Sequence, residues 1–148
     1  MGFDFCPRLR DFKIGLRELC FYAPIAIPLG LGLGFLHFHA HLPSAGKFLL
    51  SWLSIFAFIA ILEERYFRGW IQNLLERRLG RTWSLILTAI LFGLSHFNKG
   101  AAYFNWRYVL LATLAGIFYG RAWRAERRLM ASAITHASVD AIWAMWLR

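Results

Sequence analysis

The chain has 148 residues, of which 59% are hydrophobic, 18% aromatic and only 17% charged. Its mean hydropathy is +0.48. Soluble domains are nearer about 45–50% apolar and about 25% charged, so this composition argues against an ordinary soluble enzyme. Disordered chains are poor in aromatic residues, which excludes disorder as well. The length allows one domain, residues 1–148, and the low charge with long apolar runs predicts a polytopic membrane protein.

Five apolar stretches follow one another along the chain. They cover residues 19–38, 48–62, 83–97, 108–123 and 129–147. We therefore predict an all-α transmembrane helix bundle with about five membrane helices. Because a spanning helix needs about 20 apolar residues, the third and fourth stretches are short, and one or both are expected to end within the protein.

The second helix is predicted to continue beyond Leu62. No proline interrupts residues 48–79, and the lone Gly69 does not force a break. A helix of that length measures roughly 46 Å, which exceeds the hydrocarbon core of a bilayer. We expect it to tilt and to project into the cytoplasm, where its amphipathic last part, residues 70–78, lies on the membrane surface.

The positive charge indicates an orientation rather than a nucleic-acid partner. The formal net charge is +9. When successive connections are assigned to alternate sides, thirteen of the 17 Lys and Arg fall on one side of the membrane and four on the other. Since basic residues concentrate on the inner side, the sequence predicts a multi-pass protein of the bacterial inner membrane with a cytoplasmic N-terminus.

Three acidic residues interrupt apolar helices: Glu63, Glu64 and Asp140. An ionisable residue at the centre of a membrane helix costs on the order of 2.5–3.5 kcal/mol, so each is a functional hypothesis. His96 and His136 lie in similar settings. The other acids lie in polar segments and are assigned no role: Asp4, Asp11, Glu18, Glu76 and Glu126.

Spacing and depth bring these polar residues together. Three pairs are four residues apart and share a helical face: Phe92 with His96, His136 with Asp140, and Glu64 with Arg68. Counted from the cytoplasmic ends of their helices, Glu63, His96 and Asp140 lie roughly 16–24 Å into the membrane. The sequence thus predicts one buried, hydrated site shared by three helices.

The same residues form three short motifs along the chain. Residues 63–68 read E-E-x-x-x-R, residues 92–96 read F-x-x-x-H and residues 136–140 read H-x-x-x-D. Over residues 48–147 the chain resembles the CAAX protease and bacteriocin-processing family. That family is also called the abortive-infection family and includes type II CAAX prenyl endopeptidases. The chain is similar to a compact bacterial-type member, and short bacterial relatives are associated with C-terminal sorting-signal systems.

The resemblance implies a metal-free glutamic-type intramembrane endopeptidase and a role for each motif residue. Glu63 is the implied general base, His96 its water-orienting partner, and His136 with Asp140 surrounds the oxyanion. Family members often carry Asn at the position of Asp140. An amide donates hydrogen bonds whereas an ionised carboxylate only accepts them, so Asp140 is expected either to be protonated or, more plausibly, to act indirectly by orienting His136.

Three further residues are expected to support the site. Glu64 and Arg68 are expected to form an i,i+4 pair that offsets a buried charge, and Phe92 is expected to be a packing or interface residue rather than a substrate contact. The predicted reaction is hydrolysis of a peptide bond near the terminus of a membrane-associated protein or peptide. An activated water and an oxyanion stabiliser are what that reaction needs. The expected partners are this substrate and the lipid bilayer.

Other functions remain open from the sequence. Glu63, His96 and His136 could instead supply a zinc site with two histidines and one carboxylate, although no H-E-x-x-H motif is present. Ser95 lacks the G-x-S-x-G context of a serine nucleophile. A non-catalytic membrane partner or a transporter subunit is the alternative from another class, although the chain shows no symmetric halves.

Two further features are given no catalytic role. His37, His39 and His41 end the first apolar stretch. Only the first and last of them share a helical face, and two ligands do not make a zinc site, so we predict an interfacial histidine cluster. Cys6 and Cys20 are too few for a disulfide framework.

Overall fold

The computed structural model describes residues 4–40, 43–98 and 104–147. Over these ranges the chain forms four helices and no strand. The helices are α1 (Leu9–Gly32), α2 (Ala45–Leu94), α3 (Trp106–Glu126) and α4 (Leu129–Trp146). The all-α prediction is confirmed.

Helices α1 and α2 are long and apolar enough to cross a membrane. Large apolar side chains of α2 point away from the rest of the protein, including Leu50 and Phe58, which are 68% and 75% exposed. A soluble monomer rarely leaves such a surface open to water, whereas a membrane helix presents it to lipid. The prediction of about five membrane helices remains a prediction.

Helix α2 folds back on itself at Gly80. This residue has φ 74° and ψ 178°, a backbone conformation that favours glycine. The ring of Phe67, before the bend, meets the ring of Phe92, after it, at a centroid distance of 5.0 Å. The helix does continue beyond Leu62, as predicted. The second and third apolar stretches become the two arms of one hairpin.

The first arm of α2 is not a uniform α-helix. Residues Phe56–Ala60 and Arg65–Gln72 are π-helical and flank one α-helical turn, Ile61–Glu64. Single π-helical turns are frequent at functional sites because they change which side chains face a neighbouring helix. Both glutamates of the first motif lie in the turn between the two π-helical segments.

Helix α1 begins ten residues earlier than the predicted start at residue 19. Its early acidic residues, Asp11 and Glu18, are fully buried and paired with arginines, so this charged segment of the sequence extends the helix inside the protein. The helix also ends earlier, at Gly32, and Gly34 takes a positive φ of 64°. The chain beyond it runs alongside the end of α4, where the backbone N–H of His39 donates to the Trp146 carbonyl at 2.8 Å.

Arg128 ties the start of α1 to the turn between α3 and α4. Its Nε lies 2.9 Å from a carboxylate oxygen of the buried Asp11, and its Nη1 lies 2.8 Å from Asp4. The hydrogen bond from Arg128, followed by one from the backbone N–H of Cys6, lowers the pKa of the Asp4 carboxyl to about 2. This network explains how a charged segment can continue the apolar helix in the protein interior.

Small residues bring the second arm of α2 against α3. A Cβ added to Gly116 would lie 3.0 Å from the Cα of Ala89. A Cβ added to Gly93 would lie 2.6 Å from the carbonyl oxygen of Val109 and would also overlap the side chain of Thr113. The two backbones therefore approach as closely as small-residue contacts between membrane helices allow.

Substitution of Gly93 by Ala is expected to destabilise the protein. The added methyl group must displace backbone of α3, and overpacking of this kind costs about 1–3 kcal/mol. Thermal unfolding in detergent measures the effect. Gly46→Ala is the matched control, because a Cβ there meets nothing within 4 Å. Equal unfolding temperatures for the two variants would contradict the close approach.

Candidate active site

Glu64 lies at the centre of a buried polar cluster. Its side chain is fully buried, and its Oε1 accepts a hydrogen bond from Arg68 Nη1 at 3.0 Å. The same oxygen lies 2.8 Å from Nδ1 of His136. The hydroxyl of Ser132 donates to the other oxygen, Oε2. Because both oxygens are occupied by protein groups, Glu64 holds its neighbours in place.

Arg68 compensates the charge of Glu64, as the sequence predicted. It is also fully buried, and its Nη2 donates to the carbonyl oxygen of Gly116 at 2.8 Å. Its guanidinium carbon lies 4.7 Å from the centroid of the Phe92 ring and 5.4 Å from that of Tyr119. A guanidinium can be buried when carboxylate, carbonyl and aromatic faces surround it in this way.

His136 joins Glu64 to the other two acids of the motifs. Its Nε2 lies 3.4 Å from Asp140 Oδ2 and 4.0 Å from Glu63 Oε2. The ring stacks on Tyr119 with centroids 4.6 Å apart and an interplanar angle of 14°. The Glu63 and Asp140 side chains keep 26% and 33% of their surface exposed, whereas Glu64 has none. Part of each of these two side chains is therefore accessible, although the Glu63 oxygen that faces His136, Oε2, is buried.

His96 reaches the same region from the end of α2. Its Nδ1 lies 2.8 Å from the carbonyl oxygen of Phe92, which requires a proton on Nδ1 and leaves Nε2 as an acceptor in the neutral ring. The Phe92 ring contacts both imidazoles, with centroids 4.8 Å from His96 and 5.6 Å from His136. Phe92 thus sets the spacing between the two histidines.

A cavity of about 110 Å³ opens beside the two histidines. His96, His136 and Asp140 contribute to its wall, while Glu63 and Glu64 are not among its lining residues. The rest of the wall is mostly apolar and aromatic. It comes from all four helices and from the segment after α1, and it includes Tyr22, Ala26, Phe35, Tyr108 and Trp143. The cavity can accept an apolar group next to the polar cluster.

The structure therefore brings the three motifs together in one place. Two contacts were not foreseen from the sequence: the hydrogen bond of Ser132 to Glu64 and the bond of Glu64 to His136. The spacing of Ser132 in the sequence could have predicted its hydrogen bond to Glu64. Ser132 precedes His136 by four residues, just as His136 precedes Asp140, so all three share one helical face. These three residues form one polar stripe along the helix. The pairing of Glu64 with His136 depends on contact between two helices.

The side chains of the described ranges do not form a metal site. Within residues 4–40, 43–98 and 104–147, no group of three or more His, Cys, Asp and Glu side chains is arranged to hold a metal ion. The zinc set of Glu63, His96 and His136 is therefore not assembled there. In the histidine run after the first helix, His41 lies outside the described residues.

Comparison with known proteins identifies the family of the chain. A family model described as type II CAAX prenyl endopeptidase Rce1-like matches residues 45–142. This match covers more than half of the chain and includes all three motifs. The chain belongs to the Rce1-like type II CAAX prenyl endopeptidase family, a family of membrane proteases. No curated protein and no solved structure matches the chain.

Removal of either partner of the Glu64–Arg68 pair is expected to destabilise the fold strongly. Arg68→Met or Glu64→Gln leaves an uncompensated charge in the interior, which costs about 3–5 kcal/mol. The double variant is expected to recover part of that loss. Unfolding in detergent provides the double-mutant cycle, with the exposed Arg65→Met as matched control. Purely additive losses would show that the two side chains are not coupled.

Proposed function

We propose that this protein is an intramembrane endopeptidase. It hydrolyses a peptide bond near the terminus of a membrane-associated protein or peptide, with water activated by a glutamate and histidines. The observation that supports this most is the position of His136. Glu64 fixes its Nδ1 at 2.8 Å, and its Nε2 lies 4.0 Å from Oε2 of Glu63, whose side chain is 26% exposed.

We assign the attacking water to Glu63. The Glu63 Oε2 that lies 4.0 Å from His136 Nε2 is itself buried and too far away for a direct hydrogen bond, so we place the water on the partly exposed side of the Glu63 side chain. Glu63 takes a proton from this water as its oxygen attacks the carbonyl carbon of the substrate. When the C–N bond breaks, Glu63 returns the proton to the leaving amine.

His96 is assigned to the orientation of the same water. With its proton held on Nδ1 by the Phe92 carbonyl, its Nε2 accepts a hydrogen bond. The water then has two acceptors for its two protons, the Glu63 carboxylate and this nitrogen. These two hydrogen bonds orient a lone pair of the water oxygen toward the carbonyl carbon of the substrate. Correct orientation of the attacking water lowers the barrier to hydrolysis.

His136 and Asp140 are assigned to the oxyanion. The Nε2–H of His136 donates to the oxygen of the tetrahedral intermediate, and Glu64 stabilises the charge on the ring from the other side. The contact of Asp140 with Nε2 is long, at 3.4 Å, so the substrate oxygen can replace it. Asp140 then acts as a positioning residue that holds the imidazole before substrate binds.

The cavity supports an apolar substrate segment. Its wall places aromatic and aliphatic side chains directly beside His96 and His136, so an apolar side chain bound there brings the adjacent peptide bond to the polar cluster. A segment of this kind belongs to a membrane-associated protein. We place the protein in the bacterial inner membrane as a multi-pass bundle with a cytoplasmic N-terminus, on the distribution of its basic residues.

Glu63→Gln is expected to lower kcat by at least about 10²-fold. The amide keeps the size of the side chain but cannot take the proton of the attacking water. Cleavage of candidate C-terminal tails by the purified protein measures the change, and the unfolding temperature is expected to stay near that of the original protein because Glu63 is partly exposed.

Glu126→Gln is the matched control, since it removes the same charge from a glutamate outside the site and is expected to keep full activity. Undiminished cleavage by a Glu63→Ala, His96→Ala double variant would rule the proposed mechanism out. Intact membrane insertion and folding with no cleavage of any tail, even by the original protein, would favour a non-catalytic partner.

Metal dependence separates the proposed mechanism from the zinc alternative. Activity is expected to survive dialysis against a chelator, and the purified protein is expected to contain no stoichiometric zinc, because the proposed base and donors are side chains. Metal analysis and the cleavage assay are done on the same sample. Chelator-sensitive activity restored by added zinc would assign Glu63, His96 and His136 to a metal.

A further inference from the structure

A second pocket lies at the end of the molecule where α1 begins, α2 bends and α3 ends. It is open, has a volume of about 720 Å³ and is separate from the motif residues. Six basic side chains line it: Arg10, Lys13, Arg17, Arg81, Arg121 and Arg124. Only two acids, Glu18 and Glu126, do so. The lining therefore carries a local net charge of +4, with three helices contributing cations.

A buried acid fixes two of these cations. Glu18 is fully buried, with Oε1 2.8 Å from Arg17 Nη2 and Oε2 3.0 Å from Arg121 Nε. The guanidinium of Arg121 also lies 5.2 Å from the ring centroid of Phe118. Both arginines remain about half exposed, at 53% and 46%. Part of each guanidinium therefore faces the pocket or the solvent. Because Glu18 already holds both side chains in place, less conformational entropy is lost when they bind an anion.

Lys13 adds a cation that this network does not neutralise. No ion pair or hydrogen bond joins it to another residue of the described ranges. Arg81 and Arg124 share one acid outside the pocket lining, Glu76, at 3.7 and 3.5 Å. Even with that acid included, the basic groups exceed the acidic ones by three.

The pocket lies at the expected level of lipid headgroups. Its α1 cations directly precede the apolar part of that helix, which starts at Leu19 and is long enough to enter a bilayer. A water-filled basic pocket between helices at that level is where the phosphates of anionic lipids are found. Arginine guanidinium groups bind phosphate oxygens with paired hydrogen bonds, and Lys13 supplies a point charge.

We propose that this pocket binds the phosphate of an anionic lipid headgroup and so anchors α1, the bend of α2 and the end of α3 to one another. The proposal goes beyond peptide hydrolysis and shares with the proposed function only the location in a membrane. It is therefore testable in the inactive Glu63→Gln variant, where lipid binding is expected to be unchanged.

The experiment titrates the purified full chain in neutral detergent with three probes. Cardiolipin supplies the lipid phosphate, phosphatidylcholine is the zwitterionic lipid, and glycerol phosphate is the soluble headgroup. The unfolding temperature is the readout. Cardiolipin is expected to raise it saturably, while the other two probes leave it nearly unchanged. Lys13→Gln is expected to weaken apparent cardiolipin binding about fivefold, because this is the change in affinity expected when one basic residue near an anionic lipid is lost.

Arg78→Gln is the matched control. Arg78 is exposed, carries the same charge and belongs to α2 near its bend, but it does not line the pocket. Its removal is expected to leave cardiolipin binding nearly intact. Equal weakening by both variants would overturn the proposal in favour of general attraction to a basic surface. Glycerol phosphate binding as tight as that of cardiolipin would assign the pocket to free phosphate. An acidic peptide is titrated as a fourth probe, and tighter binding of that peptide than of cardiolipin would overturn the proposal and assign the pocket to a protein segment.

Discussion

The contact of Glu64 with Arg68 and His136 is the interaction on which the site depends. A carboxylate and a guanidinium are both fully buried in an apolar bundle, 3.0 Å apart. Such a pair is tolerated only because other groups complete its hydrogen bonds: Ser132, the Gly116 carbonyl and the His136 imidazole. The same bonds connect α2, α3 and α4, so the charge that must be neutralised is also what aligns the three helices.

This arrangement separates two neighbouring glutamates into different tasks. Both carboxylate oxygens of Glu64 are hydrogen-bonded to protein groups, and its side chain is inaccessible to solvent. The Glu63 side chain is 26% exposed and has one oxygen 4.0 Å from His136 Nε2. Adjacent residues of a helix point in different directions, so one can be structural while the other faces a cavity or a water. The proposed chemistry assigns the proton to Glu63 for this reason, and assigns to Glu64 the orientation of His136.

The bend at Gly80 controls which residues meet. Because α2 reverses there, the first and second motifs lie on two arms of one hairpin, and Phe67 packs directly on Phe92. The basic pocket lies at the same end as the bend, where Arg81 is followed by the arm that carries His96. Binding of a lipid phosphate at that end would therefore stabilise the geometry of the hairpin without touching the motif residues.

The sequence by itself determined the helical class, the continuation of the second helix past Leu62, the pair of Glu64 with Arg68 and the family. These follow from local patterns: apolar run length, absence of proline, i,i+4 spacing and motif order. The sequence did not reveal that Asp11 and Glu18 are buried, because their partners Arg128 and Arg121 are more than a hundred residues away. Nor did it reveal the link of Glu64 to His136 or the cavity beside it. Only the tertiary structure decided these, since burial and long-range pairing depend on which helices pack together.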